Sequence, residues 1–172
     1  MPSSSARSRR ADNGEPAQPA IGPAAPDDVP ALLALENAAF AGDRLTRRSL
    51  ARLVRGATSP VLVARLEGAL AGYAILLLHR RRRAARLYSI AVAQHFAGRG
   101  IGRALVEAAC EAARRAGRSA VKLEVRTDNH RAAALYRRSG FADCATVEDY
   151  YEDGQAALRM VRTLDESDGA RA

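Results

Sequence analysis

Between Ala97 and Cys110 the chain reads AGRGIGRALVEAAC. Three glycines, Gly98, Gly100 and Gly102, stand against an alanine- and leucine-rich stretch of strong helix propensity. The segment ahead of it, ARLYSIAVA, is β-branched and aromatic and reads as a strand. A strand, a tight glycine turn and a helix in that order belong to an α/β domain, and the turn between them is an anion cradle. The first helical turn carries N–H groups with no intrahelical partner. The helix dipole adds about half a positive charge there, and glycines let a phosphate approach the backbone without a Cβ in the way. Arg99 and Arg103 add charge to the same turn. A plain strand-to-helix turn with helix-packing glycines accounts for the same residues, so both readings stand at this point.

The flanking sequence alternates helix and strand signals. DDVPALLALENAAF predicts an amphipathic helix with Asp28 as its N-cap and Pro30 in the first turn. TRRSLARLVRG predicts a second, capped by Thr46 and stopped by Gly56. VLVARL and LAGYAILLLH, joined through Glu67-Gly68, read as a β-hairpin. After ARLYSIAVA the glycine turn opens a helix from about Gly100 to Ala116, with Gly117 as its C-cap. AVKLEVR is a strand. NHRAAALYRRSG is a helix capped by Asn129 and closed by Gly140. FADCATVEDYY and AALRMVRTL are two final strands around a turn at Asp153-Gly154. The expected fold is a mixed central sheet of about six to seven strands flanked by about four helices. The domain is expected over residues 19–164, between tails 1–18 and 165–172 whose composition predicts disorder.

Composition excludes several classes. No apolar run approaches the roughly 18 residues that span a bilayer, and the first 20 residues hold no apolar signal core. A cytoplasmic location without membrane attachment is expected, and Cys110 and Cys144 are read as free thiols. The three histidines lack metal-ligand spacing, so no metal is expected. The formal charge is +8, carried by arginine, with Lys122 the only lysine. Such a surface suits a phosphorylated cofactor, RNA or the ribosome. The run HRRRRAAR, His79 to Arg86, reads as a basic hairpin loop. No aromatic residue interleaves it, so an RNA contact is left open without support, and no DNA partner is expected.

Neither common phosphate motif fits the turn. Walker A needs a Lys-Ser or Lys-Thr that is absent, and the dinucleotide GxGxxG spacing is not met. RGIGRALVEAAC after YSIAVAQHF instead resembles the pyrophosphate motif of the GNAT N-acetyltransferases, Q/R-x-x-G-x-G/A, with Gly100 and Gly102 at its glycine positions. The Q/R position falls on Ala97, and weaker but surviving acetyl-CoA binding is expected. LEVRTDNHRAAALYRRSGF, Leu123 to Phe141, is similar to the matching stretch of the RimI-like group, which acetylates ribosomal-protein and peptide N-termini. YYEDGQAALRM resembles that group's C-terminal hairpin, although Ala156 stands where the group often has an acidic residue. The resemblance implies acetyl-CoA as cosubstrate and Ala97, Gly98, Arg99, Gly100, Ile101, Gly102 and Arg103 as its phosphate-binding residues. It further implies main-chain groups of Ile90, Ala91 and Val92 beside the pantetheine, an oxyanion donor near Val92, and Asn129 bonded to the pantetheine arm.

Acetyl transfer to an amine needs a neutral amine, donors for the oxyanion and a proton for the leaving thiolate. Glu124 is the candidate base. Strand alternation puts Lys122, Glu124 and Arg126 on one face, so an exposed cross-strand charge is the competing reading. An α-amine, with a pKa of about 7.7–8.0, is roughly a tenth neutral at pH 7 and suits a carboxylate-and-water relay better than lysine does. Tyr136 is the candidate acid and also touches the cofactor by resemblance; a core tyrosine with a wet hydroxyl is the alternative. Tyr150 and Tyr151, among Glu148, Asp149, Glu152 and Asp153, are candidate substrate-binding residues that could attract a cationic peptide, or an ordinary solvated turn. The expected function is an acetyl-CoA-dependent N-acetyltransferase, monomeric or weakly dimeric, acting on a protein or peptide N-terminus such as that of a ribosomal protein. The alternatives are a small-molecule amine acetyltransferase and a non-catalytic acyl-CoA-binding or RNA-associated module.

Overall fold

The computed structural model describes residues 17–164, so the expected tails lie outside the described residues apart from Ala17 and Gln18. Seven strands form one sheet: β1 (Ala20–Pro23), β2 (Val61–Leu66), β3 (Ala69–Leu77), β4 (Ala84–Val92), β5 (Ala120–Arg126), β6 (Ala142–Val147) and β7 (Ala157–Thr163). Among the described residues four α-helices accompany them: α1 (Val29–Ala39), α2 (Arg47–Arg55), α3 (Ile101–Arg115) and α4 (His130–Arg138). The strand order is β1-β2-β3-β4-β5-β7-β6. Every pairing is antiparallel except β4 with β5. A parallel pair needs a crossover, and α3 supplies it.

Each sheet face buries its own core. On one face, α3 and Tyr136 of α4 share a cluster with Leu76, Leu87, Val121, Leu123, Val125 and Met160. On the other, Leu32 and Leu35 of α1 and Leu50 of α2 pack on Val63, Tyr73 and Ile75. Strand β5 shows the alternation the sequence predicted: Val121, Leu123 and Val125 are buried, while Lys122, Glu124 and Arg126 stand half-buried on the face of α1 and α2. Both cysteines are free; burial pushes the Cys110 thiol up to about 11, and Cys144 is exposed on β6.

Several boundaries differ from expectation. Strand β1 was not foreseen, because AIGP carries a glycine and a proline; as an edge strand paired only with β2 it tolerates the missing proton donor. Asp28 does not cap α1. A 3₁₀ turn, Pro26–Asp28, precedes the helix, and the Asp28 carboxylate reaches back to accept from the Ala25 amide at 2.8 Å and from Arg65 at 2.7 Å. Thr46 does cap α2, accepting from the Ser49 amide at 3.1 Å. Gly56 ends α2 at φ −82°, without a left-handed turn. Arg86, which falls in both the basic run and the strand ARLYSIAVA, belongs to β4. Strand β6 stops at Val147, so Tyr150 and Tyr151 lie in the loop before β7.

Glycine at position 72 of β3 is demanded by close approach. A Cβ there would lie 2.8 Å from the Ala91 carbonyl oxygen, 3.0 Å from Leu105 Cδ1 and 3.2 Å from Ile101 Cγ2. Gly72 thus seats the start of α3 directly on the sheet. Gly72→Ala is expected to destabilise the fold by about 1–3 kcal/mol, as overpacking a tight core does. Chemical denaturation of the two proteins measures the difference.

Candidate active site

Strands β4 and β5 are bonded to each other only over Ala84–Arg86 and Ala120–Lys122. Beyond Arg86 the β4–β3 register shifts by one residue, which leaves Tyr88 as the extra residue of a bulge. Bulges bend the strand that carries them. From there to Val92, β4 turns away from β5 and a wedge opens in the middle of the sheet. Backbone groups alternate between the two edges of a strand. The Ala93 amide bonds to the Ala71 carbonyl on β3 at 2.8 Å, so Ile90 and Val92 direct their main-chain groups into the wedge. Ala91 directs its own to β3 and buries its methyl group under α1 and α2.

The glycine turn lies where β4 ends. Gly98 and Gly100 have φ of +79° and +76°, conformations that favour glycine, and the space a side chain would occupy above each is open. The Ala104 amide is the first to bond within α3, to Gly100 at 3.0 Å. The amides of Ile101, Gly102 and Arg103 therefore have no carbonyl of their own helix behind them. This arrangement fits a phosphate. Gly102 also packs: a Cβ there would meet Leu135 Cδ2 at 3.1 Å, so it brings α3 against α4. Arg103 is exposed on the first turn of α3. Arg99 is bonded to Glu67 at 2.6 Å and lies over the Phe96 ring, so its charge is shared with the β2–β3 turn.

Tyr136 is 6% exposed and meets Phe141 edge to face, with centroids 5.9 Å apart. Its hydroxyl has no hydrogen-bond partner among the described residues, which leaves the donor available to a bound molecule. Burial, and after it the charge of Tyr151, holds that hydroxyl above the ordinary tyrosine range. Asn129 caps α4 through its side-chain oxygen, which accepts from the Ala132 amide at 3.1 Å. Its NH₂ remains a donor.

Glu124 lies on the opposite face from Tyr136, with its side chain 7% exposed. Arg86 donates to one carboxylate oxygen at 2.9 Å and Arg159 to the other at 3.2 Å. A carboxylate offers about four lone-pair sites, so one on each oxygen remains for a water or an amine. Arg86 also donates to the Tyr150 hydroxyl at 2.7 Å. Neither arginine was foreseen as a site residue. The cross-strand register, which pairs Glu124 with Arg159 and sets Arg86 beside Lys122, would have found them.

The loop 148–156 between β6 and β7 is fastened to the end of β5. Arg126 holds Asp153 at 2.8 Å and Asp128 at 3.1 Å, and its guanidinium lies 5.0 Å from the Tyr151 ring centroid. Gln155 donates to Thr127 at 2.7 Å. Tyr151 is thereby placed within electrostatic reach of Glu124, Tyr136 and Asp43. Asp43 belongs to the α1–α2 connection, and that connection is itself anchored. The buried Glu36 accepts from the Leu45 amide at 2.7 Å and from the Tyr73 hydroxyl, which in turn meets Ser89 at 3.2 Å.

Comparison with known proteins agrees with this geometry. Residues 29–141 match the model of the acetyltransferase (GNAT) family, and the chain belongs to that family. It is 29% identical to the ribosomal-protein-alanine N-acetyltransferase of Brucella melitensis, with a TM-score of 0.74 over 84% of this chain and 99% of that one. The Salmonella typhimurium protein yncA, solved with its cofactor acetyl-CoA, is 26% identical, with a TM-score of 0.72 over 86% and 95% of the two chains. The mycothiol acetyltransferase of Clavibacter sepedonicus is 34% identical over 84% of this chain and 50% of its own length. The chain spans 40% and 64% of the length of two other relatives, from Mycobacterium leprae and Methanocaldococcus jannaschii.

Because Arg126 is the main tie on the β6–β7 loop, Arg126→Ala is expected to free it. Chymotrypsin should then cut after Tyr150 or Tyr151 faster than in the parent protein. The melting temperature should stay close to the parent value, since exposed ion pairs contribute little to global stability.

Proposed function

We propose that this chain transfers the acetyl group of acetyl-CoA to the α-amine of a protein or peptide N-terminus, by direct attack in a ternary complex. The observation that carries this reading is the wedge between β4 and β5. It has main-chain groups of Ile90 and Val92 on one wall, the phosphate-fitting glycine turn at its mouth, Glu124 on one side of the sheet and Tyr136 on the other. The likeness to the Brucella enzyme and to a neighbour solved with acetyl-CoA supports the acceptor and the cosubstrate.

The bound thioester supplies an activated acetyl carbon and a thiolate leaving group. The amides of Ile101, Gly102 and Arg103, with the helix dipole behind them, hold the pyrophosphate. Asn129 donates to the pantetheine arm, and Arg103 adds charge at the entrance. The Val92 amide, turned into the wedge, would donate to the acetyl oxygen as negative charge develops there. Glu124 takes the proton from the attacking amine through a water seated on its free lone pairs. Tyr136 gives its proton to the departing sulfur. A hydroxyl held above the ordinary value of about 10 remains protonated at any working pH. Tyr150 and Tyr151 line the acceptor side.

Two variants separate the roles. Glu124→Gln is expected to slow turnover most below about pH 8, where the α-amine is still protonated. A deficit just as large at pH 9.5 would reassign Glu124 to holding Arg86 and Arg159 in place. Tyr136→Phe is expected to lower kcat about 10²-fold while the KM for acetyl-CoA barely moves. A large rise in that KM instead would make Tyr136 a binding residue. Free-thiol release with peptides, lysine and polyamines as acceptors tests the reading as a whole. Turnover on small amines alone would replace the N-terminal acceptor with a metabolite.

A further inference from the structure

The cleft that contains Glu124 has a volume of about 320 Å³ and is strongly unbalanced in charge. Arg82, Arg86, Lys122 and Arg159 bring four permanent cations to its lining, against the one carboxylate of Glu124. That carboxylate is already matched by Arg86 and Arg159. Arg82 and Lys122 have no acid partner among the described residues. His79 and the Tyr150 hydroxyl complete the wall, and both can donate to an anion. The cations come from four separate stretches: the β3–β4 loop, β4, β5 and β7. Their convergence is a property of the fold and does not follow from the arginine run alone.

The acids of the β6–β7 loop do not offset this charge. Glu148, Asp149 and Glu152 are exposed and none of them lines the cleft. Asp153 is held by Arg126 at 2.8 Å. A cationic peptide drawn by that loop would meet an excess of three positive charges as its amine approached Glu124. The amine must lose its charge before it attacks, and while charged it is drawn only by Glu124, which Arg86 and Arg159 already match. Attraction has to come from a negative group elsewhere on the acceptor, and the charge-assisted bonds available here suit a carboxylate. The volume is at the small end of the range for ligand sites of about 300–1,000 Å³, enough for a side chain or two beside the amine.

We infer that the acceptor carries a carboxylate within one or two residues of its primary amine, and that the cleft formed by Arg82, Lys122 and the arginines flanking Glu124 is its seat. This rests on the acetyl-transfer reading above and names the acceptor class for the same site.

The test uses two peptides identical but for glutamate or lysine at the second residue, with free glutamate as a third acceptor. The full chain is assayed for thiol release from acetyl-CoA at 50 and 300 mM salt. The same peptides, labelled at their C-termini, are titrated by fluorescence anisotropy in the presence of CoA. The expected result is a kcat/KM at least about tenfold higher for the glutamate peptide at low salt, shrinking as salt screens the cleft. Lys122→Glu should abolish that preference, and Lys122→Met should reduce it, with melting curves confirming that both fold. If free glutamate outperforms the peptide, the carboxylate preference stands and the acceptor is a metabolite. Turnover on both peptides at equal rates, or better on the lysine peptide, overturns the inference. Charge-selective binding without turnover on any acceptor keeps the inference about the cleft and overturns acetyl transfer. Equal or absent binding of the two peptides in anisotropy, with no turnover preference for a carboxylate-bearing acceptor, overturns the inference.

Discussion

Three residues of parallel pairing hold the two halves of this sheet together, and the rest of the site depends on how short that pairing is. Ala84–Arg86 and Ala120–Lys122 form the seam. Past it, the bulge at Tyr88 bends β4 away. A sheet opened in its middle exposes backbone donors and acceptors that would normally pair, and leaving them unpaired costs free energy. The fold tolerates this because each lip of the opening is held from its outer side. Strand β4 is paired with β3 along nearly its whole length, and β5 is paired with β7 from Ala120 to Arg126. Helix α3, seated on Gly72, fixes the turn at the mouth of the opening. Unpaired main chain in the center of a rigid sheet is then a preformed site for an extended ligand.

The two faces of the opening differ in chemistry for a simple geometric reason. Alternation along β5 sends Leu123 and Val125 into the core with α3, Tyr136 and Phe141. It sends Lys122, Glu124 and Arg126 to the other face, where charged residues from β4 and β7 gather. Glu124 and Tyr136 therefore approach one opening from opposite sides, one in a field of arginines and the other in apolar packing. Arg126, one turn of the pleat beyond Glu124, holds the β6–β7 loop and keeps Tyr151 within electrostatic reach of both.

The sequence made most of the architecture legible because local signals and tertiary packing agreed. Thr46 and Asn129 cap their helices as their side chains predict, and the β5 pleat follows its apolar alternation. The failures came where a distant residue won a competition with a local one. Asp28 has the character of an N-cap, but Arg65 on β2, brought close by the sheet, takes its carboxylate. Strand β1 has poor strand propensity and forms because β2 offers it an edge. Local signals predict two strands around a turn at Asp153-Gly154, whereas the pairing of Arg126 with Asp153 accompanies a longer loop.

The same distinction explains why the two ends of the candidate site differ so much in how they can be read. The cofactor end is built from backbone. Its chemistry is a left-handed turn and a row of amides, and glycines are the residues that permit both, so the pattern is local and visible. This also bears on Ala97, where a longer polar side chain is the more usual residue. Ala97 is exposed, and its amide bonds to the Gln94 carbonyl at 3.0 Å, so it holds the turn's shape without touching the amides of Ile101 to Arg103. Losing a side-chain contact there subtracts one exposed interaction from a site whose donors are main chain. The acceptor end has no such economy. Its charges come from Arg82, Arg86, Lys122 and Arg159, spread across half the chain, and only the sheet register brings them to one carboxylate. A family pattern can thus persist at the cofactor end while the acceptor end is rewritten by a few charged substitutions, and the acceptor must be read from the folded surface.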